Sequence, residues 1–530
     1  MMNSEKSVDK SRTEYSVLNI IAGIGGYIIN TIMGLICRMV FTRCLSADYL
    51  GANGLFTNVI SMLSLAELGI GSAIVFELYK PLAEHDHEKI ASLIKVYAKA
   101  YRIIGLVVAA VGLVLMPFLP VIIRNQPDIK ESIYLLYLIN LFNTASTYFF
   151  SYKSSLIIAA QQNYIVSSVN YIVTILQSVV QIFLLLSTHN YLAYLLVQTA
   201  GTFIYNVVIS LIADKKFPYI NAKNIKPLDK EESTRLFHNV RDLLIYKISS
   251  LLVNSTDNIL ITFFKGLTTT GLASNYTLLV NTINSLLGQV FNGLTASVGN
   301  LNATESPEKK FSIFSFLNMM NFWLFGWCAV GIVFCSGDIV SLFFGSNFVM
   351  SIKIPFVMAL NFFTVGMLNS VWTFKHTMGL FHYGRFIQLL TGILNIIFSI
   401  LLGIKWGLFG ILFATFLSRL CTSLWYDPYA VYRYGFGKNV IEYIKKYLYY
   451  LFILLVANVL CYFACSYISI NLFAQCILKI ILCSIICNVV FYLFLHNKPE
   501  YRKMKLVTAQ VKGLVKNKIS GLFFRRKNIQ

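Results

Sequence analysis

Two arginines stand where an apolar chain has least use for them. In GLICRMVFTRCLSADYLGANGLF, residues 34 to 56, Arg38 and Arg43 interrupt a long hydrophobic run ahead of a Gly-rich turn. A charge near the middle of a bilayer costs about 2.5–3.5 kcal/mol on insertion scales, so a guanidinium kept there needs a partner or a purpose. The chemistry open to it is anion binding, because the planar fork can neutralise phosphate oxygens, bidentately where geometry allows. Arg38 lies about 7.5 Å along a helix axis from Arg43, at 1.5 Å rise per residue. Arg43 is near the outer end, where snorkelling to the interface accounts for it. Arg38 is deeper and is expected to turn into a polar cavity. Lys247 and Arg419 are further cations inside apolar runs, Lys375 sits at a helix end, and Glu67, Glu77 and Asp257 are candidate partners. Paired charges would be structural and unpaired cations would be anion sites. Asp257 or Glu67 could instead take up a proton or a sodium ion.

Uncharged polar residues recur at membrane depth. The stretch around Asn58 adds Ser61 and Ser64; Asn140 is followed by Asn143 and Thr144; Asn254 opens five consecutive polar residues; Asn281 is followed by Asn284, Ser285, Gln289 and Asn292; Asn361 is followed by Thr364 and Asn369. Spacings of three and four put many of these on one helix face. Any one of them could serve an interhelical hydrogen bond, but the pattern repeated on five helices predicts a hydrated cavity. Metal chemistry is not expected: in His85-Asp86-His87 neighbouring side chains point apart, with no further ligands clustered nearby. The ten cysteines fall within or at the ends of apolar runs and read as small packing residues. The outer loops, such as RNQPDIK and STHN, gather no acid–base constellation. No cofactor and no enzymatic activity are expected.

The elements that carry these residues must be membrane helices. Of 530 residues 57% are hydrophobic and 13% charged, with mean hydropathy +0.66, whereas a soluble domain carries about 25% charged residues. Apolar runs of about 20 residues predict an all-α polytopic protein with fourteen spans. They lie near 17–43, 50–78, 100–123, 130–152, 160–186, 190–212, 238–263, 271–300, 312–335, 354–374, 386–404, 407–426, 446–468 and 471–495. The first is too long for a signal-peptide core, and no small-residue cleavage site follows it, so it is expected to stay attached.

The net charge is +21, and most of the basic residues fall on one side when the amino terminus is placed inside. That is the positive-inside asymmetry, and it predicts both termini cytoplasmic without invoking nucleic acid. The organisation follows: an N-terminal segment 1–16, a six-helix bundle over 17–212, a cytoplasmic linker 213–237, a second bundle over 238–426, a helix pair over 427–495 and a basic tail 496–530. A shift of about 221 residues lays LSADYLGANGLFTNVISML over LTTTGLASNYTLLVNTINS and Asn140 over Asn361. Six spans, a linker and six similar spans describe parallel repeats, which place substrate sites between the halves. In the tail, Val507, Val511, Leu514, Val515, Ile519 and Leu522 recur at helical spacing beside Lys512, Lys516, Lys518, Arg525, Arg526 and Lys527. This predicts an amphipathic helix lying on the inner leaflet.

Arg43 followed by Ser46-Ala-Asp-Tyr-Leu-Gly, Gly54-Leu-Phe and Ala66-Glu-Leu-Gly-Ile-Gly-Ser resembles the opening of bacterial polysaccharide flippases of the Wzx type. Asp257-Asn-Ile-Leu-Ile, Gly266-Leu and Asn275-Tyr276 look like the seventh and eighth spans of that family, part of the multidrug/oligosaccharidyl-lipid/polysaccharide (MOP) exporter superfamily. The resemblance implies a V-shaped, MATE-like fold of two six-helix bundles in the bacterial cytoplasmic membrane, alternating between inward and outward openings. It also implies the substrate, an undecaprenyl-pyrophosphate-linked oligosaccharide for capsule, exopolysaccharide or O-antigen assembly. Membrane lipids, a polysaccharide polymerase and glycosyltransferases would be its partners. A cation-coupled multidrug antiporter and a lipid II flippase of the same superfamily are the alternatives. The substrate fits the residues: a lining of Asn, Ser, Thr and Tyr, including Tyr276, can replace water lost by sugar hydroxyls, whose bare transfer through hydrocarbon is prohibitive.

Overall fold

In the computed structural model the described residues are 12–63, 77–78, 81–82, 84–123, 128–160, 162–222, 228, 256–380, 383–468 and 470–505. Among them every extended element is a helix. In chain order these are α1 (Arg12–Cys44), α2 (Ala47–Leu63), α3 (His87–Leu115), α4 (Ile133–Thr147), α5 (Ser151–Ala159), α6 (Asn163–Thr188), α7 (Tyr191–Lys216) and α8 (Thr256–Thr304). Then come α9 (Pro307–Phe344), α10 (Lys353–Thr377), α11 (Arg385–Trp406), α12 (Leu408–Cys421), α13 (Ser423–Ala430), α14 (Ile441–Ser466) and α15 (Leu472–Leu495).

Nine helical stretches among the described residues are long and apolar enough to cross a membrane, and each falls on one of the fourteen expected spans. The first, fourth and eighth expected spans fall on α1, α4 and the longer arm of α8, and α2 covers the start of the second, of which residues 64–76 lie outside the described residues. Most of the seventh lies outside the described residues. Phe183 and Ile404 are each 70% exposed, and Leu106 and Val114 each more than 60%. A row of such side chains is stable only with lipid as solvent, so the chain is a multi-pass membrane protein.

Local chemistry sets where the helices begin. The Asp86 carboxylate accepts the Lys89 amide at 2.9 Å to cap α3, Asn190 caps α7 through the Ala193 amide at 3.1 Å, and Ser306 followed by Pro307 opens α9. Asp86, the middle of the His-Asp-His triplet, is thus a cap, and His87 meets Tyr219 in a tilted contact with ring centroids 4.3 Å apart. In α8, Gly266 adopts φ 81° and ψ 171°, a left-handed corner that separates the arm 256–265 from the longer arm.

The chain packs as two compact units, Met1–Ser274 and Asn275–Gln530. In the first, α1 lies on α6, α6 on α7, and α4 on α3 and α7. The division between the units falls at Ser274, inside α8, and on its N-terminal side the Gly266 corner is fastened to the start of α2. A Cβ on Gly51 would sit 2.0 Å from the Leu267 carbonyl oxygen, and one on Gly271 would sit 2.0 Å from that of Ala47. Only glycine at both positions lets these backbones touch. In the second unit α9 packs on α10, α14 and α15, and α11 on α12. Its core is aromatic: Phe322 stacks on Tyr450 at 4.4 Å and meets Phe491 at 4.8 Å, with Phe363 edge-on at 6.3 Å.

Candidate functional site

Arg38 occupies a polar and aromatic pocket within the first unit. Cys37 meets Gln181 of α6 and Phe41 meets Tyr191 and Tyr194 of α7, and the 100° advance from Cys37 to the next residue takes Arg38 to Ser274 of α8. Its Nη2 donates to Ser274 Oγ, whose own hydroxyl donates to the Gly271 carbonyl at 2.7 Å. Tyr191, Tyr194 and Cys37 are its electrostatic neighbours. The tyrosines are held in place by Phe41, which meets Tyr191 at 5.7 Å and Tyr194 at 5.2 Å, both edge-on, and by Gln181, whose amide donates to the Tyr194 carbonyl at 3.2 Å. A half-buried guanidinium beside a serine hydroxyl and two tyrosines is an environment that suits a phosphate oxygen. Arg43 is exposed at the end of α1.

The rim beyond Arg43 is built on Asp48 and Tyr49, which sequence reasoning used only as part of a family pattern. Asp48 is buried and accepts from the Asp128 amide at 2.7 Å and from the Thr268 hydroxyl. The Tyr49 hydroxyl donates to Glu131 at 2.5 Å and accepts the Lys130 amide at 3.1 Å. The Ser-Ala-Asp-Tyr-Leu-Gly run thus ties the 128–131 loop and the Gly266 corner to one end of α1 and α2.

In the second unit the expected anion-site cation Lys375 has another role. Its Nζ lies 2.5 Å from Asp427 Oδ1, and Lys375 is 7% and Asp427 0% exposed. Trp372 Nε1 donates to the other carboxylate oxygen at 2.9 Å, and Gln388 approaches it at 3.5 Å. Lys375 is therefore a structural, paired charge. Sequence reasoning ended the twelfth span at residue 426 and left Asp427 in a loop. The backbone instead breaks at Thr422, resumes as α13, and after Pro428, which cannot donate to the preceding turn, widens into a π-helical turn at Val431–Phe436. A second intramembrane pair was also missed. Lys479 on α15 lies 2.7 Å from Asp338 Oδ2, an ionic contact without hydrogen-bond alignment, while Gln475 donates to Oδ1 at 3.1 Å. The signal for the second was a lone lysine inside the expected span 471–495; Asp427 carried none that set it apart from a loop acid.

Several of the remaining expected residues have partners within their own unit. Tyr276 is 1% exposed, and its hydroxyl accepts the Met350 amide at 2.9 Å, so it fastens the loop before α10 instead of lining a cavity. Asn140 is buried and its amide returns to the Leu136 carbonyl at 2.9 Å, as that of Asn58 does to Gly54 at 2.8 Å. Asn361 bonds across helices to the Leu412 carbonyl at 2.8 Å, the interhelical role open to any such residue. Asn281 is exposed, and Asp257 and Arg419 are half-buried on α8 and α12. Glu67, Lys247, Asn254 and the 507–527 segment lie outside the described residues. Among the described residues no group of three or more His, Cys, Asp or Glu side chains is placed to hold a metal ion.

Residues 16–298 match the model of a family described as polysaccharide biosynthesis protein. No curated protein matches the sequence significantly. Among solved structures, the lipid II flippase MurJ in an inward closed conformation aligns with TM-score 0.61 at 16% identity, covering 92% of this chain and all of that one. An inward-facing multidrug resistance MATE family transporter of the MOP superfamily aligns with TM-score 0.53 at 14% identity, covering 76% and 94%. A Vibrio cholerae MATE transporter aligns with TM-score 0.52 at 12% identity, covering 81% and 99%. These likenesses establish the fold.

Proposed function

Because the chain belongs to the polysaccharide biosynthesis protein family and has the fold of MOP-superfamily transporters, we propose that it is a flippase for undecaprenyl-pyrophosphate-linked oligosaccharides. In this reading it moves repeat units across the bacterial cytoplasmic membrane, with both termini inside, for assembly of a surface polysaccharide. The supporting observation is Arg38, a cation in the apolar first helix held by a serine hydroxyl and neighboured by two tyrosines. The pyrophosphate meets the guanidinium, the sugar hydroxyls exchange water for protein hydroxyls and amides, and the prenyl chain stays in lipid. The headgroup is exposed first to one side and then to the other, and no bond is made or broken.

The test is reconstitution of the full chain in liposomes carrying a fluorescent undecaprenyl-pyrophosphate oligosaccharide, with a membrane-impermeant quencher reporting on the outer leaflet. Protein-dependent flipping that is lost in Arg38→Ala and partly kept in Arg38→Lys is the expected result, since lysine keeps the charge without the fork. Two parallel arms carry lipid II and a cationic dye. Transport of either one with no movement of the oligosaccharide lipid overturns the assignment. Full flipping by Arg38→Ala removes the role given to Arg38.

A further inference from the structure

A second basic site lies in the first unit, well apart from Arg38. Lys95, Lys99 and Arg102 follow one another at spacings of four and three on α3, so they share one helix face. They line a cavity of about 550 Å³ together with Tyr152 and Lys153 on α5 and with Asn221 and Ala222 after the 3₁₀ turn Pro218–Asn221. The floor is built rather than incidental. Lys153 pairs with Asp214 at 2.7 Å and donates to Ser210 at 2.8 Å, and Asn221 donates to the other Asp214 oxygen at 2.8 Å. Asp214 is thereby satisfied from within. Lys95, Lys99 and Arg102 are all exposed and have no hydrogen-bond or ion-pair partner among the described residues, so the described lining carries a surplus of three positive charges.

Just beyond Arg102 the same helix turns apolar and outward-facing. Ile103 is 53%, Leu106 62% and Val107 47% exposed, a surface that only acyl chains cover. The cations therefore stand where hydrocarbon gives way to headgroups, on the face that the charge asymmetry assigns to the inside. An occupant must present a phosphate to the cavity while its chains run along α3, which a freely soluble anion cannot do.

We propose that this cavity binds the phosphodiester headgroup of an anionic phospholipid from the adjacent leaflet. Lys95, Lys99 and Arg102 contact the phosphate, Tyr152 and Asn221 the glycerol hydroxyls, and Ile103, Leu106 and Val107 the first part of an acyl chain. Basic pockets between membrane helices suit such headgroups.

The experiment is native mass spectrometry of the purified full chain, titrated separately with phosphatidylglycerol, phosphatidylethanolamine and soluble glycerol 3-phosphate. Saturable binding of phosphatidylglycerol, with much weaker binding of the other two, is expected. Each basic residue near an anionic headgroup strengthens binding by about fivefold, so Lys95→Gln/Lys99→Gln/Arg102→Gln should weaken it by roughly a hundredfold. Lys95→Arg/Lys99→Arg keeps the charge and should bind within about threefold of the parent. Equal affinity for glycerol 3-phosphate would mean a soluble phosphate site and overturn the lipid assignment. An equal loss from Lys445→Gln/Lys498→Gln in the second unit would mean attraction by net charge alone and overturn the site.

Discussion

Breaking the pair between Lys375 and Asp427 should unsettle the second unit more than any other single charge change. Asp427 is fully buried and Lys375 nearly so, and their contact is 2.5 Å. Removing one partner of a buried pair strands the other charge and costs about 3–5 kcal/mol. Asp427→Asn keeps the shape and isolates the ammonium, so it should fall in the upper part of that range. Lys375→Met leaves a carboxylate that still accepts from Trp372 and lies near Gln388, so it should fall near the lower end. The double variant Lys375→Met/Asp427→Leu removes both charges. Apolar replacement of a buried pair is often neutral or stabilising by about 1–4 kcal/mol, which the stranded Trp372 N–H offsets by about 1–3 kcal/mol. The double variant should thus lie within about 2 kcal/mol of the parent, leaving a coupling of about 3 kcal/mol or more between the sites. Reversible unfolding in mixed detergent–SDS micelles, followed by tryptophan fluorescence, gives the four free energies of the cycle. Were the double variant as unstable as the sum of its parents, the charges would not be interacting and the structural role assigned to Lys375 would fall.

The other expectations concern helix contact, acidity and the tail. Gly51→Ala and Gly271→Ala force a methyl against a backbone carbonyl and should each destabilise the first unit by about 1–3 kcal/mol, whereas Gly34→Ala, with nothing within 4 Å, should be neutral or slightly stabilising in the same unfolding assay. Burial pushes the Glu500 carboxyl upward, but the hydrogen bond and charge of Lys446, 2.8 Å away, outweigh it and hold the group below its ordinary range. A lowered folded value means that its stabilisation is present above the ordinary carboxylate range and lost as pH falls through the folded value, so Glu500→Gln should lower the melting temperature at neutral pH and match the parent in strong acid. A difference that persists in acid would assign the effect to shape rather than charge. The peptide Val507–Lys527 should become helical with anionic vesicles and stay coil with neutral ones by circular dichroism; coil in both would reject the interfacial helix.

The helices were legible because lipid imposes a length and an apolarity that a single chain displays without reference to its fold. Side-chain partnership is a different kind of information. The Lys375–Asp427 and Lys479–Asp338 pairs join residues far apart in sequence, and nothing in a hydropathy pattern distinguishes a lone acid at a helix end from one folded back into the core. Asp427 is hidden further by the break at Thr422 and by Pro428, which make the stretch read as the start of a loop. Asn140, Asn361 and Tyr276 show the same limit for uncharged groups, since the polar pattern that predicts a wet cavity equally serves carbonyl and amide contacts inside a bundle.

Arg38 is where the two kinds of information meet. Its cost of burial is readable from sequence, and that cost requires compensation without saying what supplies it. Lys375 and Lys479 meet the same requirement with carboxylates, Asp427 fully buried and Asp338 partly so, and a buried pair resists exchange because either ion alone is left in a medium that does not solvate it. At Arg38 the described hydrogen bond is to the Ser274 hydroxyl, beside Tyr191 and Tyr194. A neutral oxygen is a weaker counterpart for a guanidinium than a phosphate oxygen. In the proposed flippase a pyrophosphate would take the place of that hydroxyl on the guanidinium and give it back on release, an exchange between a charged and a neutral oxygen at one cation.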